Sequence, residues 1–146
     1  MTDNMNLGKA GELRVAAELL MRGHECFLTL ADSGVDIVLG SGLRLQVKSA
    51  HARMNPKRGE RSRHYTFSFK RWKKRQGHYV PHPLEGVDFA VLWASDDDAF
   101  FIVPVDEIKG RYGVKLNLTE NSRAGSVNTA LKRYRDAWDL LEEGGD

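Results

Sequence analysis

The chain has 146 residues, 41% hydrophobic and 29% charged, with a mean hydropathy of -0.47, which suits one globular core and excludes a wholly disordered chain. Its longest apolar run, residues 89–94, is far short of the ~20 residues of a membrane span, and one cysteine, Cys26, excludes an internal disulfide and a cysteine-rich zinc site. The net charge of +2 says little alone, and the N-terminus lacks the basic start and apolar stretch of a signal peptide, so the expectation is a single domain over residues 1–146 in the cytoplasm.

The spacing of Leu13, Ala16, Ala17 and Leu20 predicts a helix over residues 8–23, with Gly23 at its C-terminal cap. A short apolar strand follows over 26–30. Residues 35–39 and 43–49 alternate on either side of Gly40-Ser41-Gly42, which is a hairpin pattern. Residues 54–63 read as a basic loop. Tyr65, Phe67 and Phe69 alternate with polar residues as another strand. The run over 88–94 reads as a buried strand, 96–98 as a turn, and 100–103 as a strand stopped by Pro104. Asp106 caps one helical turn ending at Gly110. A C-terminal helix over about 126–143 carries one stripe, Val127, Leu131, Tyr134, Trp138 and Leu141. This order predicts an α/β or α+β fold, a central mixed sheet flanked by helices.

The hairpin register follows from parity. A two-residue turn would pair Asp36 with Val47 and mix polar with apolar side chains on each face. A three-residue turn over Gly40 to Gly42 pairs Leu39 with Leu43, Ile37 with Leu45 and Val35 with Val47, and sets Asp36 opposite Gln46. Gly42 then takes the left-handed position of that turn. A slip of one residue would turn a whole apolar face outward, so the second register is expected.

That register gathers Asp36, Gln46 and Lys48 on one face. A carboxylate and an amide oxygen side by side can share a hard cation. A lysine beside them can orient a water or stabilise charge on a phosphate. The solvated face of an ordinary hairpin would also carry Asp, Gln and Lys. Glu12 adds weight, because Val15, Ala16 and Leu19 follow it at helical spacing. It therefore sits beside a face that packs on the sheet, where a carboxylate needs a partner. The helix dipole alone would also favour a glutamate in a first turn.

Charge is uneven along the chain. Residues 51–82 hold ten Lys and Arg against Glu60 alone, whereas residues 83–146 hold seven against thirteen acids. The ten are Arg53, Lys57, Arg58, Arg61, Arg63, Lys70, Arg71, Lys73, Lys74 and Arg75, interleaved with Tyr65, Phe67, Phe69 and Trp72. Such a segment fits a phosphate backbone, although a merely solubilising loop would look similar. The acidic segment reads as an outer surface that keeps DNA on the opposite side. His78-x-x-x-His82 has zinc-like spacing but no second ligand pair, so it reads as a loop.

Taken in order, Gly8-Lys9-Ala10-Gly11-Glu12, Gly34-Val35-Asp36-Ile37-Val38 and Leu45-Gln46-Val47-Lys48-Ser49 resemble the PD-(D/E)XK nuclease superfamily. They match its first core helix, its metal-binding Asp strand and its (D/E)-x-K strand. Within it the likeness is to the group I intron homing endonucleases with a Gln-x-Lys variant, and archaeal-type Holliday junction resolvases share the layout. The match is strong over residues 7–50 and looser to about 105. Val35 replaces the motif proline, and Gln46 replaces the second acid. The resemblance implies a restriction-endonuclease-like αβββαβ core, with a basic insertion at about 51–82, and a DNA endonuclease using Mg²⁺, with Mn²⁺ able to substitute. It implies Asp36, Gln46, the Val47 carbonyl and Glu12 as metal ligands and Lys48 as the group positioning the attacking water. DNA, duplex or branched, is the implied partner, and a homodimer or homotetramer the implied assembly. A neutral Gln46 also leaves open a non-catalytic nucleic-acid-binding domain on the same fold.

Overall fold

A computed structural model of the chain describes residues 4–30, 34–118 and 129–143. The elements are α1 (Asn4–Met21), β1 (Cys26–Leu28), β2 (Ile37–Leu39), β3 (Arg44–Ala50), β4 (Tyr65–Ser68), β5 (Lys70–Lys73), β6 (His78–Pro81), β7 (Phe89–Ala94), β8 (Ala99–Pro104), β9 (Gly113–Leu116) and α2 (Asp139–Glu143). The most apolar strand, β7, lies inside a five-stranded sheet of order β1-β2-β3-β7-β8. It runs parallel to β3 and antiparallel to β8. A strand buried on both faces has no need of polar alternation, which accounts for its continuous apolar run.

The hairpin has the register that parity predicts. Ile37 pairs with Leu45, Leu39 N–H donates to the Leu43 carbonyl at 2.9 Å, and Gly42 has φ +97. One face of the sheet packs on α1 and α2 through Val15, Leu19, Ile37, Leu45, Val47, Val91, Trp138 and Leu141. The other face is covered by the antiparallel β4–β9 pair, with Tyr65, Phe67, Leu92, Phe101 and Leu116 in that core. The sheet and first helix thus match the expected architecture. The connection from β3 to the parallel β7 carries the expected loop over 54–63, with a 3-10 turn at Gly59–Ser62, then β4 and the β5–β6 hairpin, so the later half of the basic segment is strand and ribbon.

Three expectations need correction. The buried face of α1 is Leu7, Gly11, Val15, Ala16 and Leu19, while Leu13, Ala17 and Leu20 are exposed. Apolar residues surround this helix, so period alone could not choose its face; the backbone approach at Gly11 did. A Cβ there would lie 1.7 Å from Ser49 Oγ on β3 and 3.3 Å from Trp93 on β7. Second, the C-terminal segment is not one helix. It is a 3-10 turn over Thr129–Tyr134, a bridge from Arg135 to Phe101, and α2; Val127 lies outside the described residues. Leu131 belongs to one core and Trp138 and Leu141 to the other. The chain therefore turns around the β8 edge, where Asp136 has φ +53 and donates its N–H to the Phe100 carbonyl. A continuous helix cannot pass around a sheet edge. Third, Asp96, Asp97 and Asp98 are not merely a solvated surface. Asp96 accepts the Ala52 N–H, Asp97 pairs with Arg63 and Tyr65, and Asp98 binds Arg14 and the Trp93 indole. This turn ties β3, β4 and α1 to the β7–β8 connection.

Replacing a helical glycine by alanine ordinarily stabilises by about 1 kcal/mol. Here the sign reverses: Gly11→Ala costs about 1–3 kcal/mol through overpacking, and Ser49→Ala in the same chain recovers part of it. Urea unfolding of the two single variants and the double variant measures this coupling.

Candidate active site

The site forms where β2 releases the edge of β3. Asp36 lies one residue ahead of β2, and its N–H donates to the Leu45 carbonyl at 2.8 Å. Leu45 also faces Ile37 in the ladder, so two consecutive residues meet one, as in a β-bulge. The bulge breaks the expected alternation. Val35 enters the core on the β4–β9 side, whereas Ile37 and Val47 pack under α1. The expected pairing of Val35 with Val47 on one face is thereby lost.

The Val47 N–H donates to the Asp36 carboxylate, Oδ2, at 2.7 Å. A strand residue directs its N–H and C=O to the same edge, so the Val47 carbonyl also faces this opening. Thr29 N–H donates to the Asp36 carbonyl at 3.0 Å and helps hold the turn. Gly34, with φ +83, makes the bend leading into it.

Glu12 arrives from α1, one residue beyond the Gly11 contact, and is half-buried as expected. Its carboxyl group is within hydrogen-bonding reach of Asp36, and Lys9 Nζ lies 3.0 Å from its Oε2. Gln46 and Lys48 come from the other face of β3. Gln46 is 4% exposed, and its Oε1 is buried without a hydrogen-bond partner. An unsatisfied buried oxygen costs free energy unless something is meant to meet it. The fold therefore brings Glu12, Lys48 and the Val47 backbone around Asp36, while the Gln46 amide nitrogen lies beside Gly34, two residues ahead of Asp36.

Burial pushes the Asp36 carboxyl up to about 6, with the Val47 N–H opposing and the neighbouring Glu12 reinforcing the shift. Burial lowers the Lys48 pKa, partly offset by the charge of Asp36. Two close carboxyl groups repel when both ionise. Among the described residues, no group of three His, Cys, Asp or Glu side chains is placed to hold a metal. The site offers instead two carboxylates, an amide oxygen and a strand carbonyl. These hard oxygen donors fit a Mg²⁺-like cation, which would satisfy Gln46 Oε1 and relieve the Glu12–Asp36 repulsion.

The basic residues divide. Arg53, Lys57, Arg58, Lys70, Arg71, Lys74 and Arg75 are exposed and Lys73 is half-buried; the Arg61 side chain lies outside the described residues. Arg63 is committed to Asp97 at 2.7 Å and stacks over Tyr65. On the β5–β6 ribbon, Trp72 packs edge-on against Tyr79 and Lys70 lies over the Tyr79 ring. His78 and His82 part company. His78 pairs with Lys73 at the ribbon's far end, while His82 lies beside Gly34 and Gln46. Four residues of strand span about 13 Å, so the zinc-like spacing had no meaning in β-structure, and nothing in it marked His82 as a neighbour of Gly34 and Gln46.

Folding raises the Asp36 pKa from an ordinary carboxylate value of ~3.9 to about 6. Between these values the folded state binds more protons than the unfolded state, so stability falls as pH rises from about 4 to 6. Asn at this position keeps an acceptor for the Val47 N–H and removes the charge. Asp36→Asn therefore stabilises the metal-free protein by about 1–2 kcal/mol at pH 7.5, with the gain shrinking toward pH 4. Urea titrations at both pH values measure it.

A family model described as PD-(D/E)XK endonuclease matches residues 2–141. The solved structure of a bacterial homing endonuclease, I-Ssp6803I, superposes with a TM-score of 0.72 at 23% identity, covering 99% of this chain and 95% of that one; at that identity the likeness shows a shared fold. No curated protein is significantly similar to the chain. With the helix glutamate, the displaced aspartate and the Gln-x-Lys strand gathered in this fold, the chain belongs to the PD-(D/E)XK endonuclease family.

Proposed function

We propose that this endonuclease-family chain is a divalent-metal-dependent DNA endonuclease, using Mg²⁺ or Mn²⁺ on duplex or branched DNA in the cytoplasm, in the manner of homing endonucleases or Holliday junction resolvases. The observation that carries the reading is the buried Asp36 carboxyl, held by the Val47 N–H with Glu12 and Lys48 beside it, on a strand whose Gln46 Oε1 is buried without a partner. Asp36 is the central ligand, Gln46 Oε1 and the Val47 carbonyl are further ligands, and Glu12 binds directly or through water. When bound, the cation acts as a Lewis acid toward the scissile phosphate and lowers the pKa of coordinated water. Lys48 donates hydrogen bonds to the attacking water, orients it toward phosphorus and stabilises negative charge developing on the phosphate. The exposed cations of residues 53–75 hold the flanking backbone, and their clustering makes binding sensitive to salt.

Supercoiled plasmid and a synthetic four-way junction incubated with Mg²⁺ test the reading. Cleavage is expected with wild type, and a loss of at least ~100-fold with Asp36→Ala and with Lys48→Ala. Calorimetry with Mg²⁺ or Mn²⁺ gives a binding heat that Asp36→Ala abolishes. Salt-sensitive DNA binding with no cation requirement and no cleavage of either substrate overturns the enzymatic reading in favour of the binding domain that a neutral Gln46 permits.

One site cuts one strand, so a duplex cut calls for two copies. The outward stripe of α1 supports such an assembly. Leu13 is 52% and Leu20 59% exposed, with Ala10 before them and Ala17 between them also exposed. This is heptad spacing of apolar residues. The neighbouring edge strand β1 leaves Phe27 55% exposed. An apolar strip of this kind marks an interface more often than a bare surface. Leu13→Glu combined with Leu20→Glu is expected to give monomers by light scattering, with unchanged circular dichroism, and to convert double-strand cutting into nicking.

A further inference from the structure

His82 follows β6 and lies beside Gly34, near the charges of Lys48 and Arg71. Its N–H donates to the Phe69 carbonyl at 2.6 Å, anchoring the end of β6. The Leu84 N–H donates to His82 Nδ1 at 3.1 Å. An amide nitrogen only donates, so Nδ1 is the bare nitrogen and the neutral ring carries its proton on Nε2. That edge of the ring lies over Gly34. A Cβ on Gly34 would meet His82 Cε1 at 3.3 Å and Nε2 at 3.7 Å, and Gln46 Nε2 at 3.9 Å. The missing side chain at Gly34 therefore leaves room for the His82 edge and the Gln46 amide to meet just ahead of Asp36. Burial, then the charges of Lys48 and Arg71, lower the pKa of the imidazole. Lys48 and Arg71 are the charged groups acting on it from β3 and β5.

A neutral N–H presented in the field of Lys48 and Arg71 matches a phosphate oxygen. We propose that His82 is a further substrate-contacting residue of this site, its Nε2–H donating to a non-bridging oxygen of the DNA phosphate bound there. The proposal rests on the nuclease reading, since it needs a phosphodiester at this opening. No proton is transferred: the imidazole stays neutral and the hydrogen bond strengthens as charge grows on the phosphate oxygens. Gly34 has a matching role, because any side chain there is strained at φ +83 and crowds the ring.

Isosteric substitutions separate this role from a structural one. Asn at position 82 offers an oxygen near the place of Nδ1 and keeps the Leu84 N–H satisfied, but it has no group at Nε2. Gln reaches the place of Nε2 with an N–H and leaves Nδ1 unreplaced. With supercoiled plasmid and Mn²⁺ under single-turnover conditions, His82→Asn is expected to cleave about 10–100-fold more slowly with an unchanged melting temperature, and His82→Gln to recover to within a few-fold of wild type. The reverse order, with Asn active and Gln as poor as His82→Ala, makes His82 a structural cap and overturns the proposal. Imidazole ¹⁵N spectra of wild type at pH 7.5, assigned by the loss of the signal in His82→Gln, give a readout independent of cleavage. The expected result is a proton on Nε2 whose resonance moves when a 20-base-pair duplex is added with Ca²⁺. A resonance unmoved by bound DNA overturns the proposal even if the enzyme cuts. A resonance that moves in a protein unable to cut supports it while the nuclease reading fails.

Discussion

The hydrogen bond from the Val47 N–H to the Asp36 carboxylate is the hinge between fold and site. In an unbroken antiparallel ladder that N–H would meet a carbonyl of β2. Here the chain doubles up at Asp36, and the side chain takes the carbonyl's place. One exchange does several things together. It pins the carboxylate by a bond that favours its charged form. It turns the Val47 carbonyl toward the same edge as its N–H. It also opens the edge of β3, so that groups from both faces of one strand can reach a common point. Without the opening, Glu12 on the α1 side and Gln46 and Lys48 on the other would be separated by the sheet.

The second requirement is that α1 come close enough to deliver Glu12. Helix and strand touch at Gly11 and Ser49, with no space for a Cβ. Glu12 is the next residue, so the tightest contact of the helix and the carboxylate it sets against Asp36 are adjacent in sequence. The precision of the site is set by backbone approach, which varies less than the reach of a long side chain. The acidic turn supports the same placement from the other end: Asp98 grips Arg14 on α1 while bonded to Trp93 on β7. A helix held at Gly11 and at Arg14 has little freedom to withdraw Glu12.

Much of this was legible in the residues, and the failures have physical causes. Parity gave the hairpin register because period-two patterning is strict when both faces are packed. The same logic misplaced Val35, because a bulge adds a residue without leaving a mark in hydrophobicity. Glu12 was found through Val15, Ala16 and Leu19, yet the stripe through Leu13 and Leu20 faces outward, since an all-round apolar helix has no single period to read. The C-terminal stripe identified the correct buried residues, Leu131, Trp138 and Leu141. It hid the fact that they serve opposite faces of the sheet. The β5–β6 ribbon and β9 were missed because their residues are mostly charged or short of apolar alternation. The family resemblance pointed to four motif residues, of which the structure sets Glu12 and Lys48 around Asp36, and it was silent on His82, whose position depends on where the β3–β7 connection returns to the sheet.

The glutamine at the second acidic position has a rationale in the same electrostatics. Position 46 is 4% exposed, more deeply buried than Asp36, and an ionised acid there would face Glu12 and Asp36 with little solvent to screen it. Burial, with Glu12 reinforcing it, already pushes Asp36 up to about 6. A third would raise the cost of the empty site further and would have to be repaid by tighter metal binding. An amide oxygen offers a ligand of the same reach without that charge. The consequence is weaker attraction for the cation, so occupancy depends more on what else arrives with it. A DNA phosphate supplies both negative charge and oxygen ligands, so on the proposed metal-dependent reading a site built around Gln46 would have metal and substrate reinforce each other's binding.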